Sequence, residues 1–301
     1  MNKRIIFLSL LPLIVLVVAG RPRSAASLDS IPPVPLPVWS SEVVAAGPTL
    51  AGQGTPGMAL GVDDRPHIVF GQSQLFHAWP ESTTWRFEMV TTAAGPFYSP
   101  AIASDASGKL TIVAAATSIT TGEMGLLVVS RAADGAWQTA TVALPRIDAA
   151  PALSLALDST GRPHVIVTGR TADGSPALLY AHASPAGWVS ETVAIPHAPR
   201  GQLALALDSQ DRPVVLYEIG NQPGPGATLS LARRDAAGWH HQTVGVGLIL
   251  VGKSLALDAG DRAHVVFGDN DPTQLVYRWE TEDGWQTLIE PGKGFAPNLA
   301  L

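Results

Sequence analysis

Leu155 to Val167 reads LALDSTGRPHVIV: an apolar run around a small residue, an Asp-containing turn, and a second apolar run. Versions of it stand at Met58 (MALGVDDRPHIVF), Ile102 (IASDASGKLTIV), Leu205 (LALDSQDRPVVLY) and Leu255 (LALDAGDRAHVVF), and a sixth begins at Leu299-Ala300-Leu301. The central alanines, Ala59, Ala103, Ala156, Ala206, Ala256 and Ala300, lie 44, 53, 50, 50 and 44 residues apart. A second marker, Trp39, Trp85, Trp137, Trp188, Trp239 and Trp285, keeps step at 46, 52, 51, 51 and 46. Two markers in phase establish an internal repeat, in which each unit buries its apolar faces only against its neighbours.

Working outward from Leu155, each unit resolves into four short strand candidates: the run around the Ala, a second such as His164 to Thr168, a third such as Ala177 to His182, and a fourth such as Trp188 to Val193. Four strands per repeat with turn residues between them predict one propeller blade. The fold class is therefore all-β, a β-propeller of four-stranded blades, with five complete repeats from about Pro56 to Glu290 and partial strands at both ends. A small Ala suits the innermost strand, where blades crowd around the axis. The Trp opens the outermost strand, where a large ring can cover the gap between blades.

The turn after the first strand carries Asp105, Asp158, Asp208 or Asp258, followed three residues on by Gly108, Gly161, Asp211 or Asp261. An Asp there accepts hydrogen bonds from nearby backbone N–H groups, and Gly or Asp tolerates the left-handed backbone that closes such turns. These acids, and the basic residue that follows (Arg65, Lys109, Arg162, Arg212 or Arg262), are read as structural.

The chain has 301 residues, 15% of them charged, with net charge -6 and 54 glycines and prolines (29 and 25). The repeat argues for one large domain rather than the two that length alone suggests. A mildly acidic chain without a basic stripe excludes nucleic acid as the expected partner. The absence of cysteine excludes disulfides, Cys-containing zinc sites and a Cys nucleophile.

Residues 1–26 begin with Lys3 and Arg4 and continue in an apolar run from Ile5 to Ala19, the pattern of a secretory signal peptide, with an uncleaved N-terminal anchor as the alternative. The expected location is secreted or cell-surface, with the membrane involved only through that segment. Residues 27–38 include IPPVPLPV (Ile31 to Val38), a stiff Pro-rich linker. Residues 39–301 are read as the propeller, either five blades that close alone with spare strands or the front part of a propeller of six or more blades that is incomplete at the C-terminus. Trp39 opens WSSEVV, which matches the outer strand WVSETV at Trp188, so an outer strand comes first and an inner strand comes last.

Connections between strands one and two and between three and four share one face of a propeller and hold the repeated turns. The opposite face holds the segments that vary. On it lie Tyr98, Arg146, Asp148, Arg170, His197, Arg200, Glu218 and Asp269, the candidate binding residues, because loops on a rigid scaffold carry recognition. Asp269-Asn270-Asp271 offers oxygen ligands for calcium but lacks the rest of a calcium loop; no other cofactor is expected. His67, His164 and His264 recur, but on separate blades they stand too far apart to share an ion. His240 and His241 point to opposite faces of a strand. No GxSxG elbow, phosphate-binding glycine loop or HExxH helix occurs.

The hairpins SRAADGAWQ from Ser130 and YRWETEDGWQ from Tyr277 resemble the Asp-box, Ser-x-Asp-x-Gly-x-x-Trp, of sialidase-like (BNR-repeat) propellers. Asp134, Gly135 and Trp137, or Asp283, Gly284 and Trp285, keep part of that pattern; Gly187-Trp188 and Gly238-Trp239 keep its end. Asp-boxes mark the fold away from the catalytic centre, so the resemblance implies a propeller, and the sialidase Phe-Arg-Ile-Pro motif is missing. The hairpin is also similar to the repeats of fucose-binding propeller lectins, in which an Arg, a Glu and an aromatic ring bind sugar between blades. No third-strand Glu repeats here alongside the Trp and Arg.

The expected function is that of an exported, non-enzymatic propeller binding a glycan, polymer or protein on its variable-loop face. One alternative is a glycoside hydrolase using a carboxylate pair drawn from Asp148, Asp173, Glu218, Asp269 or Asp271, which must stand roughly 5–10 Å apart. The other is a structural or spacer repeat region of a longer cell-surface protein.

Overall fold

A computed structural model describes residues 56–71, 73–92, 95–117, 122–131, 135–144, 146–220, 227–246, 252–268, 274–291 and Leu299. The signal, linker and Trp39 segments, Asp134 and residues 269–271 lie outside the described residues. Five four-stranded antiparallel sheets follow one another along the chain. Blade 1 is β1 (Gly57–Leu60), β2 (Pro66–Phe70), β3 (Phe76–Glu81) and β4 (Thr84–Met89). Blade 2 is β5 (Phe97–Ser104), β6 (Leu110–Thr117), β7 (Met124–Arg131) and β8 (Trp137–Val142). Blade 3 is β9 (Leu153–Leu157), β10 (Pro163–Arg170), β11 (Pro176–Ser184) and β12 (Gly187–Ala194). Blade 4 is β13 (Pro199–Leu207), β14 (Pro213–Ile219), β15 (Thr228–Asp235) and β16 (Gly238–Val246). Blade 5 is β17 (Lys253–Leu257), β18 (Ala263–Gly268), β19 (Gln274–Thr281) and β20 (Gly284–Pro291). Among the described residues the repeat thus folds as five blades of a β-propeller, one repeat to a blade.

The second and third strands are nearly continuous apolar runs where a blade is covered on both faces by its neighbours, as blades 2 to 4 are. Val165, Ile166 and Val167 on β10 are all fully buried, the first and third facing blade 2 and the middle one facing blade 4. Outer strands are mostly exposed; in β8 only Trp137 and Val142, at its two ends, are covered. The inner strands pack β1 on β5, β5 on β9, β9 on β13 and β13 on β17. Each Trp at the start of an outer strand packs into the apolar layer shared with the preceding blade: Trp137 with blade 1, Trp188 with blade 2, Trp239 with blade 3 and Trp285 with blade 4.

The turn acids hold the turns as expected. Asp158 Oδ1 accepts from the N–H groups of Thr160 and Arg162, each at 2.8 Å, and Asp208 and Asp258 do the same in blades 4 and 5. Gly108, Gly161, Asp211 and Asp261 all take φ between 60° and 83°. The turns also join blades. Ser159 donates its N–H (2.8 Å) and hydroxyl (2.6 Å) to the two carboxylate oxygens of Asp211, and Ser209 does the same to Asp261 at 2.7 and 2.6 Å. A third link lies nearer the axis, where Leu205 N–H donates to Ser154 Oγ at 3.1 Å.

Candidate functional site

The recurring histidines are polar links inside single blades. His164 Nδ1 hydrogen-bonds Tyr180 on the third strand and His264 Nδ1 hydrogen-bonds Tyr277, at 2.5 and 2.6 Å. In blade 1 a second His takes the place of the Tyr. His77 Nδ1–H donates to Glu88 Oε1 at 2.9 Å, which leaves His77 Nε2 to accept from His67 Nδ1–H at 2.8 Å. Burial pushes His77 down to about 4, although Glu88 pulls the other way. His240 bonds Asp235 while His241 bonds Tyr217, so the adjacent pair does point to opposite faces. Among the described residues no three His, Asp or Glu side chains are placed to hold a metal ion.

On the variable-loop face the structure joins three of the candidate residues. Ile147 bridges to Gly169, and Arg170 Nε lies 3.3 Å from Asp148 Oδ1, which brings the 146–148 segment onto the end of β10. A Cβ at Gly169 would stand 2.7 Å from the Arg146 carbonyl oxygen, so only glycine admits this approach. Glu218 lies elsewhere, between blades 4 and 5, with its carboxylate 3.7 Å from the Lys253 ammonium and both groups buried. Burial pushes Lys253 down to about 8 against the opposing pull of Glu218. The backbone of Arg200 pairs with Glu218, Tyr98 pairs with Ala115, and His197 is exposed between β12 and β13. Asp269 lies outside the described residues. Sequence reading missed Lys253 as the partner of Glu218.

At the seams near the Trp rings, two registered positions decide the chemistry: the residue three beyond the Trp on one blade, and the third-strand residue paired with the Trp of the next blade. In seam 1/2 these are Glu88 and Arg131, 3.2 Å apart, with the guanidinium 5.2 Å from the centre of the Trp137 ring. In seam 3/4 Glu191 and Arg234 form a two-point ion pair at 2.6 and 3.3 Å, and Trp239 Nε1–H donates to Glu191 at 3.2 Å. The Glu191 hydrogen bond raises the Arg234 pKa further. Seam 2/3 has Ala140 and Ala183 instead.

Seam 4/5 breaks the pattern. Gln242 stands in the place of Glu191, and Glu280, paired with Trp285, stands in the place of Arg234. Glu280 turns to Arg233 (2.5 Å) and the Ala263 N–H (2.7 Å), and the buried Trp285 Nε1–H, like those of Trp85 and Trp137, has no hydrogen-bond partner among the described residues. A shallow cavity of about 270 Å³ opens there, lined by Gln242, Arg262, Glu280, Thr281, Glu282 and Trp285 with Gly284. It combines an aromatic ring, two carboxylates, an amide, a hydroxyl and a guanidinium. It lies at the end of the blades that carries the repeated turns, opposite the variable-loop face.

No protein-family model and no curated protein sequence matches the chain. In fold it is similar to a protein of unknown function from Dyadobacter fermentans, with TM-score 0.55 and 12% identity over 80% of this chain and 83% of that one. It is similar to the Aleuria aurantia lectin in complex with Fucalpha1-6GlcNAc, with TM-score 0.54 and 12% identity over 82% and 85%. It is similar as well to the GH93 alpha-L-arabinofuranosidase of Fusarium graminearum, with TM-score 0.51 and 12% identity over 84% of each chain.

Proposed function

We propose that the chain is an exported propeller module that binds a neutral glycan in the cavity between blades 4 and 5. The observation that carries this reading is the broken seam pattern. In seam 3/4 the Glu, Arg and Trp groups satisfy one another and leave nothing for a ligand. In seam 4/5 the same positions hold side chains that do not close on each other, and a cavity stands where the ion pair would be. Trp285 offers a ring against which the C–H face of a sugar packs, and Gln242, Thr281, Glu282 and Arg262 offer acceptors and donors to neighbouring hydroxyls. The likeness in fold to the Aleuria aurantia lectin, which holds a fucosylated disaccharide, supports the reading. Export rests on the basic and then apolar residues 1–26, and sequencing the N-terminus of protein recovered outside the cell checks it.

A second reading, glycoside hydrolysis, is favoured by two carboxylates lining the same cavity, Glu280 and Glu282. The described acids considered from sequence are each engaged elsewhere: Asp148 with Arg170, Asp173 with Thr171 and Ser175 in its own turn, and Glu218 with Lys253. A glycan screen that scores retained sugar and released product separately decides between the two. Retention without release, weakened at least tenfold by Gln242→Ala or Glu282→Ala with unchanged melting, is the expected result. Release would establish hydrolysis, and silence in both channels would end the glycan reading.

A further inference from the structure

Every described seam is built the same way: the Trp side of one blade lies on the blade before it. Blade 1 has a Trp side as well, and among the described residues no comparable packing joins β1 to β17. Met58, Ile68, Ala78 and Phe87 are paired across all four of its strands and share that face. In the corresponding rows of blades 2 to 5 the outermost residue is polar (Thr139, Ser190, His241, Thr287), whereas blade 1 carries Phe87. Leu205 and Leu255, the counterparts of Met58, are 8% and 9% exposed; Met58 is 43%, Leu60 56% and Phe87 45% exposed. An apolar face reaching from the axis to the rim is built to be covered.

The far end of the chain points to what covers it. Leu299 N–H donates to Ser254 Oγ at 3.0 Å, the same contact that Leu205 N–H makes with Ser154 Oγ at 3.1 Å where blade 4 meets blade 3. Leu299 therefore sits on blade 5 as the inner strand of a following blade sits on its predecessor. In the repeat Asn298 precedes Leu299 as Ser154 precedes Leu155 and Ser254 precedes Leu255, so Asn298 and Met58 are the sequence positions that correspond to Ser154 and Leu205. Trp39 is in phase with the other five Trp residues, and WSSEVV matches an outer strand. A second copy packed face to face is the weaker occupant. Four strands about 4.8 Å apart and four to six residues long give roughly 330 Å² of flat face, against about 800 Å² per partner in a stable interface. A blade held in the slot is covered on both of its faces.

We propose that the space between β17 and β1 is a sixth blade position occupied by this chain itself, with Leu299 on its inner side, seated between β17 and β1. The chain is free of cysteine, so engineered thiol pairs test this without background. Ser154→Cys with Leu205→Cys, positions that touch across seam 3/4, calibrates a short thiol-to-thiol cross-linker. Met58→Cys with Asn298→Cys is expected to cross-link within one molecule, and Met58→Cys with Ser254→Cys is not. The reverse result would place β17 directly against β1 in a ring of five and overturn the proposal. Cross-links between molecules would assign the slot to a second copy and also overturn it. So would the absence of both cross-links while the calibrating pair reacts.

Discussion

Ser159 and Asp211 sit 52 residues apart on neighbouring blades, and the serine presents both its N–H and its hydroxyl to the two oxygens of one carboxylate. The geometry depends on Asp211 holding φ at 60°, a backbone state in which an L-residue is disfavoured.

That double role separates two substitutions. Asp211→Ala keeps a Cβ in the left-handed region and removes the latch, and is expected to lower unfolding stability by about 1 kcal/mol, since the hydrogen bonds are solvent-exposed. Asp211→Gly removes the latch and the Cβ together, and the relief of about 1 kcal/mol of backbone strain offsets the loss, so it is expected to be the more stable of the two. Urea unfolding of both variants checks the order; equal stability of Asp211→Ala and the parent would mean the latch contributes nothing.

Lys253 predicts an alkaline gain in stability. Its pKa falls from an ordinary 10.5 in the unfolded chain to about 8 in the fold. Between those values the unfolded state binds more protons, so stability rises with pH across that window, by on the order of 3 kcal/mol. Lys253→Met should flatten the rise. The check is the urea midpoint of both proteins at pH 7, 8, 9 and 10, and parallel curves would remove Lys253 as its source.

His77 predicts a loss on the acid side. Burial holds its folded pKa near 4, below the ordinary 6.5, so the unfolded state takes up more protons as pH falls from 6.5 towards 4 and stability drops. His77→Gln cannot protonate and is expected to show a shallower loss over that interval. Melting temperature against pH reads the difference.

The seam comparison can be reversed. Gln242→Glu combined with Glu280→Arg restores in seam 4/5 the pair found in seam 3/4, which should close the cavity and reduce glycan retention at least tenfold. Melting is expected to fall modestly, because Glu280→Arg also takes away the acceptor of Arg233 and of the Ala263 N–H, so retention is compared below the melting point of the variant. Undiminished retention by the well-folded double variant would move the binding surface away from this seam.

Much of the architecture was legible in the residues: the Ala and Trp markers gave the repeat, and the four runs of each unit became β9 to β12 and their counterparts within a few residues. The left-handed turn positions were legible too, because Gly and Asp recur there for a backbone reason. The seam chemistry was not. Glu191 and Arg234 lie 43 residues apart and meet only because strand four of one blade borders strand three of the next. Recognising that pair requires strand register, whereas repeats are read from spacing. The loop face drew attention because it varies, but the acids and bases described there are largely paired with one another, as Asp148 with Arg170 and Glu218 with Lys253.

The turn of blade 4 carries Ser209, which reaches forward to blade 5, and Asp211, which receives blade 3. Both halves of the latch are therefore encoded within one stretch of a few codons. A gene segment copied in tandem at this point would bring donor and acceptor together, and each new blade would join both neighbours at once with no compensating substitution. Arrays of this kind can grow by duplication alone, and the near-constant 50-residue step from Ala156 through Ala206 to Ala256 is the trace such growth leaves.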